Sequence, residues 1–209
     1  MDCQCPAPSA LTEIPQDDCN FNLKQIQRLA FQRGGNLFDT GAGTPTDPKL
    51  LADWQALLAA TDDTKVVVSP LIDADPTITA GDAITTGGGD NSTRNGIEEN
   101  EGVNPSVFTA TFKGLSPAVE RAMKAITCEK NLTVYLFLEG GRIALVEVTA
   151  DAQYRGIQIE STPFFSDRNN QGFATKDTHT ITFSLKAGWS EEIEILTSDE
   201  LDFNPLVDL

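Results

Sequence analysis

The chain has 209 residues, 31 of them acidic and 15 basic, for a formal net charge of −16. Apolar residues make up 40%, below the globular norm of about 45–50%, which points to one domain with long arms or to two small ones. No apolar run approaches the roughly 18 residues that span a bilayer, so no membrane role is expected, and scattered bases in an acidic chain grip nucleic acid poorly. The opening Met1-Asp2-Cys3-Gln4-Cys5-Pro6 has neither a basic n-region nor an apolar h-region, so no secretory leader is expected.

Residues 1–20 are rich in proline and acid and read as an extended arm. In FNLKQIQRLAFQR (21–33), the placing of Phe21, Ile26, Leu29 and Phe31 suggests one short helix, although an extended segment also accommodates it. Gly34-Gly35 ends it, and 39–47 is turn-like. Residues 1–46 are thus assigned to an arm with a short helix.

The core is assigned to 47–196. Asp47-Pro48 combines a capping side chain with a proline suited to the first helical position. Leu50, Leu51, Trp54, Leu57 and Leu58 then recur at helical spacing up to Ala60. Lys65–Ser69 reads as a short buried strand ended by Pro70. Residues 79–104 (TAGDAITTGGGDNSTRNGIEENEGVN) hold six glycines and a single base and read as a structureless loop. Folded back on itself, such a loop reaches roughly 40 Å, far enough to touch a neighbour.

VFTATFK (107–113) alternates as a half-buried strand. Ser116-Pro117 opens a second helix, with Val119, Ala122, Met123 and Ile126 on its apolar face and Glu120, Arg121 and Lys124 in water. LTVYLFL (132–138) is a strong strand, reversed at Gly140-Gly141 into a partner over 143–148. Residues 158–161 continue the sheet, and 166–178 is a polar loop. Ile181, Phe183 and Leu185 alternate with Thr180, Thr182 and Ser184 on a further strand. The last strand is 191–196. Residues 197–209 form an acidic arm with interleaved Leu201, Phe203, Leu206, Val207 and Leu209. A purely solvating tail needs no such groups, so this arm docks on a partner or on its own domain. Together these elements predict an α+β fold, a predominantly antiparallel β-sandwich or barrel with two helices, a long protruding loop and extended terminal arms.

Reactive chemistry is sparse. The cysteines are Cys3, Cys5, Cys19 and Cys128, and His179 is the lone histidine. Zinc sites use C-x(2–4)-C pairs, and none occurs, so free thiols are expected, with Cys128 as a small core residue. His179, beside Thr178 and Thr180, is expected to face solvent. Gly87-Gly88-Gly89-Asp90 lacks the lysine and following helix of a phosphate loop. Asp62-Asp63 and Asp73-Ala74-Asp75 lack the spacing of a calcium loop. The sequons at Asn91 and Asn131 are read as chance matches. No catalytic residue, metal or cofactor is expected, and no enzymatic activity.

The run VVVSPLIDADPTITAGDAITTGGGDNSTRNG, followed by PSVFTATFKGLSPAVERAMKAITCEKNLTVYLFLEGGRI, resembles virion proteins of tailed double-stranded DNA phages. Tail tube and related tail or baseplate ring proteins are the nearest group. The resemblance covers residues 66–138, in the order strand, glycine-rich loop, strand, helix, hairpin. It implies a β-sandwich flanked by the helix at Ser116–Cys128, assembled into hexameric rings that stack through the 79–104 loop and the terminal arms. The implied partners are copies of the chain and other virion tail proteins, with the virion as location after assembly in the host cytoplasm. The helix at 48–60 departs from that pattern and keeps head–tail connector and baseplate roles open. The charge suits a conduit: wall carboxylates repel phosphates over a Debye length of roughly 8 Å, whereas basic walls would hold DNA by counterion release. DNA is therefore expected to pass without specific binding. Subunit contacts are expected from Asp90, Asn91, Arg94 and Glu98 on the loop and from Phe203, Leu206 and Leu209 on the arm. The alternatives are a capsid-surface decoration or host-facing binding module and, from a third class, a metal-dependent enzyme or zinc-stabilised protein.

Overall fold

The computed structural model describes residues 13–14, 21–39, 46–89, 91–149, 153–170 and 172–209. In chain order its elements are β1 (Ile26–Arg33), α1 (Leu51–Ala59), β2 (Val67–Val68), β3 (Ala74–Thr79), β4 (Ala83–Thr86) and β5 (Glu99–Val103). There follow β6 (Ser106–Lys113), α2 (Pro117–Ile126), β7 (Leu132–Leu138), β8 (Arg142–Thr149), β9 (Gln153–Arg155) and β10 (Ile157–Gln158). The last are β11 (Phe164–Phe165), β12 (Thr178–Leu185) and β13 (Ile193–Leu196).

LTVYLFL has almost no polar phase, and a strand that is apolar on both sides needs cover on both sides. It becomes β7, buried at every residue. The first sheet runs β13-β8-β7-β1-β2, with β9 on β8 and β10 on β7, and the second runs β11-β12-β6-β3. All pairings are antiparallel. The sheets pack face to face as a sandwich and are not closed into a barrel.

Between them lies one core. Leu29 and Phe31 of β1 and Val134, Leu136 and Leu138 of β7 meet Phe108 and Phe112 of β6 and Ile181, Phe183 and Leu185 of β12. Phe108 stacks on Phe183 with ring centroids 4.7 Å apart. Met123 of α2 closes the side of this core. A second core occupies the other face of the first sheet. Tyr135 and Phe137 of β7 and Ile143 and Leu145 of β8 pack against Phe38, Trp54, Leu57 and Phe203. Trp54 makes tilted and edge contacts with four surrounding rings. The architecture is therefore three layers: second sheet, first sheet, then α1 with the C-terminal segment.

Several expectations change. Residues 26–33 form a strand, not a short helix, and β1 pairs with both β7 and β2 in the middle of the first sheet. A central strand buried on both faces loses its period-2 signature, and a register shift between Ile26 and Arg28 disturbs it further. The core thus starts at Ile26, ahead of the expected boundary at 47. The 65–69 strand shrinks to the edge pair Val67–Val68, with Val67 42% exposed.

The first helix starts at Leu51, and Asp47 does not cap it. Leu50 holds the cap position without a side-chain bond. The cap comes from across the chain, where Leu51 N donates to Asp202 Oδ1 at 2.8 Å. Asp47 Oδ1 instead accepts from Lys49 N at 2.9 Å, in a local turn. The second helix starts as expected, with Ser116 Oγ accepting from Val119 N at 3.4 Å and Pro117 following it.

Asp202→Ala is expected to cost about 1 kcal/mol, the usual loss for a helix cap. The measurement is the urea midpoint at unchanged m. A larger loss for Asp47→Ala would return the cap to Asp47.

Candidate assembly site

The loop expected at 79–104 is an ordered hairpin. β3 and β6 pair as far as Thr79 and Val107, and the chain then leaves the sandwich as a second hairpin, β4 against β5. Its register is Ala83 with Val103, Ile84 with Gly102, Thr85 with Asn100 and Thr86 with Glu99. The root is pinched: Asn104 N donates to Asp82 O at 2.9 Å. A Cβ on Gly81 would lie 1.9 Å from the Asn104 carbonyl oxygen, so only glycine allows this approach. At the tip Gly87, Gly88 and Gly89 all take positive φ. Thr93 Oγ1 donates to the Ile97 carbonyl, and Gly89 N to the Gly96 carbonyl at 3.1 Å.

This arm has no core of its own. Every residue of β5 is exposed, and Ile84, Ile97 and Val103 are 43%, 61% and 44% exposed. A lone two-stranded hairpin is marginal in water, and these apolar groups lie open to solvent. At about 3.3 Å per residue, with about ten residues on each side of the 83–103 hairpin, the arm extends at most ~35 Å from its root, a little less than the expected reach. Asn91, Arg94 and Glu98 are exposed near its tip, while Asp90 lies outside the described residues. Charge is divided between the strands: β5 carries Glu99 and Glu101, and β4 carries none.

The C-terminal arm takes the second of its two expected courses and docks on its own domain. Phe203 is 9% exposed and contacts Trp54 at 6.5 Å, while Leu206 and Leu209 are partly buried against the same core. Phe203 therefore packs inside its own subunit, and Leu206 and Leu209 help to close the second core. Polar bonds fix the segment. Asp202 N donates to Lys49 O at 3.1 Å, Lys49 Nζ pairs with Glu200 at 3.2 Å, and Arg28 Nη1 donates to the Leu209 carbonyl.

His179 is fully buried, a correction to its expected solvent-facing position. Residue 179 is in phase with 181, 183 and 185, so the alternation turns it inward. Its ring stacks on Phe165 at 5.3 Å. Nδ1 lies 3.4 Å from the Ser166 carbonyl, and Nε2 has no hydrogen-bond partner, with Glu120 Oε2 at 3.8 Å. Glu120, expected in water, has a side chain only 17% exposed and pairs with Lys124 and Arg168, each at 3.1 Å. The hydrogen bond from Lys124, with help from that of Arg168, holds its carboxyl below the usual range. This network ties α2 to the 166–178 loop. His179 is closed off from solvent.

Two further features were not legible in the sequence. A groove of about 600 Å³ runs between α2 and the edge strand β2, lined by Phe31, Val67, Ala122 and Ile126, with the Arg33–Glu129 ion pair on its rim at 3.0 Å. On β13, one buried oxygen of Glu194 lacks a hydrogen-bond partner. Desolvation raises that carboxyl above its ordinary range, and the charge of Glu147 adds to the effect. Cys128, expected in the core, is exposed, and Cys3, Cys5 and Cys19 lie outside the described residues. Among the described residues, no group of three or more His, Cys, Asp or Glu side chains could hold a metal ion, and no helix is long and apolar enough to cross a membrane.

His179→Phe keeps the ring stack and removes the unpaired nitrogen. It should leave the fold intact and raise stability by up to about 1 kcal/mol in urea unfolding; a loss of that size would mean that the Glu120 contact holds α2 in place. For Glu194 the raised carboxyl favours folding while protonated, and that contribution is lost as pH climbs through the raised value. Glu194→Gln should therefore melt above wild type at pH 7.5, with the difference gone at pH 4 in a thermal scan.

No known protein-family model matches this chain, and no curated protein matches it in sequence.

Proposed function

We propose that the chain is a non-enzymatic structural subunit of a tailed double-stranded DNA phage virion, a tail tube-like protein whose copies form stacked rings around a DNA conduit. The observation that carries this reading is the β4–β5 arm: an ordered projection with exposed Ile84, Ile97 and Val103 and no core beneath it. Such an element gains its stabilisation from a neighbour, and in a homo-oligomer the neighbour is another copy. The resemblance over 66–138 supplies the phage context and the expectation of six copies per ring.

Charge supports the conduit. The layer of α1 and the C-terminal segment carries Asp53, Asp199, Glu200, Asp202 and Asp208 against Lys49. Repeated around a ring, such a layer repels the phosphates of a passing duplex. The groove beside β2 favours a second reading, a capsid-surface or host-facing binding module that stays a small oligomer.

Negative-stain images of the purified protein at high concentration separate the two: rings or tubes for the first, discrete particles for the second. Replacing 83–103 with Asn-Gly, which the close approach of Asp82 and Asn104 permits, should leave a folded monomer that forms no rings. Undiminished ring formation by that variant would remove the arm from the assembly contact.

A further inference from the structure

We propose that Asn95, at the tip of the arm, is a site of spontaneous deamidation, and that the order of the tip sets its rate. This holds whether or not copies of the chain assemble.

Asn95-Gly96 is the only Asn-Gly pair in the 209 residues. Asparagine is thermolabile, because the backbone nitrogen that follows it can attack its side-chain amide. Glycine makes that attack easiest, since it sets no side chain beside the nitrogen and leaves the backbone free to turn. The Gly96 nitrogen loses its proton and bonds to Asn95 Cγ. The Cγ–Nδ2 bond breaks, and the departing nitrogen takes up that proton through solvent and leaves as ammonia. Water then adds to one of the two carbonyls of the five-membered imide. Opening at Cγ restores the ordinary backbone with an aspartate side chain. Opening at the other carbonyl routes the chain through the side chain, as an isoaspartyl link one carbon longer. Either way water enters and ammonia leaves, and nothing is oxidised or reduced.

The tip opposes this ring closure as long as it is formed. Thr93 to Gly96 make a turn in which Gly96 N donates to Thr93 O at 3.1 Å. Asn95 holds its third position with φ 62° and ψ 20°, a place that suits asparagine or glycine. At that ψ the Gly96 nitrogen is turned away from Asn95 Cβ about the Cα–C bond, whereas the imide ring needs the two nearly eclipsed. The attacking nitrogen is thus both bonded elsewhere and facing the wrong way. The bond from Thr93 Oγ1 to the Ile97 carbonyl and that from Gly89 N to the Gly96 carbonyl brace the same turn.

That brace is weak. Asn95 is exposed, as is every residue of β5, and Ile97 is 61% exposed. Local opening is cheap where few apolar groups are buried and backbone bonds face solvent. The tip therefore opens and recloses many times within the time of one attack, and the rate of modification follows the fraction of time spent open. Asn131 and Asn204 serve as internal references. Asn131 precedes Leu132 at the start of β7, and Asn204 precedes Pro205, which has no N–H to lose. The product alters the arm. A new carboxylate stands beside Arg94, and the isoaspartyl form inserts an extra backbone atom between β4 and β5, whose pairing sets Thr86 opposite Glu99.

The test incubates the full chain at mildly alkaline pH, folded or unfolded in guanidinium chloride. Mass spectrometry follows the peptides that carry Asn95, Asn131 and Asn204, and isoaspartyl methyltransferase counts the β-linked product. In the unfolded chain the Asn95 peptide should convert ahead of the other two. In the folded chain it should convert as well, roughly ten- to a hundredfold more slowly. Thr93→Val removes the bond to the Ile97 carbonyl and should raise the folded rate at least about threefold, with the circular dichroism of the body unchanged. If that variant loses the arm altogether, its rate should equal the unfolded one, which supports the gate equally. No conversion of Asn95 in the unfolded chain would overturn the site. Equal folded and unfolded rates in the wild type, or a Thr93→Val rate equal to that of the wild type, would overturn control by the tip. A folded chain in which Asn95 converts no faster than Asn131 would show a tip that stays closed, and the proposal would fall with it.

Discussion

The fold depends on one constraint: a sheet that is apolar on both faces must be covered on both. β7 is buried at every residue, so the first sheet cannot present either side to water. The second sheet covers one side in the ordinary manner of a sandwich. A nine-residue helix covers part of the other, and nine residues are too few to shield four strands. The C-terminal segment completes that layer with Phe203 and the partly buried Leu201, Leu206 and Leu209. Its acids are not idle in this task. Asp202 caps the helix beside which Phe203 packs, so one short segment supplies both apolar cover and the missing helix cap.

The helix–tail layer carries five carboxylates, at Asp53, Asp199, Glu200, Asp202 and Asp208, and one strand of the arm carries Glu99 and Glu101. The protruding hairpin departs from the sandwich at a glycine pinch and carries its apolar side chains into solvent. The body of the protein is self-sufficient in its two cores, and the arm is not. This asymmetry underlies the assembly reading.

The sequence was informative wherever one period governed a segment. α2 was legible from Ser116-Pro117 and its apolar spacing, β6 and β12 from alternation, and β7 from its apolar run. It was silent where tertiary pairing decided the outcome. β1 lies between two strands with both faces covered, so FNLKQIQRLAFQR carried no clean period. The arm looked structureless because glycine, threonine and acid dominate it, yet backbone pairing between 83–86 and 99–103 orders it. His179 was misjudged by its threonine neighbours, although counting by twos from Leu185 puts it inside. The groove beside β2 joins segments far apart in the chain, and no local pattern announces it. The tail could be recognised as a docking element, but not its destination, since that depends on the open face around Trp54.

Trp54 gives the molecule an optical gauge of its own. The indole is fully buried and ringed by Phe38, Tyr135, Phe137 and Phe203, while Trp189, the other tryptophan, is only half-buried. The aromatic ring that the tail contributes is thus part of the fluorophore's immediate cage. Lifting that segment would admit solvent to the indole and shift its emission to the red, while the sheet-to-sheet core kept its own packing. Seating of the tail can therefore be followed by light, separately from global unfolding, without attaching any label.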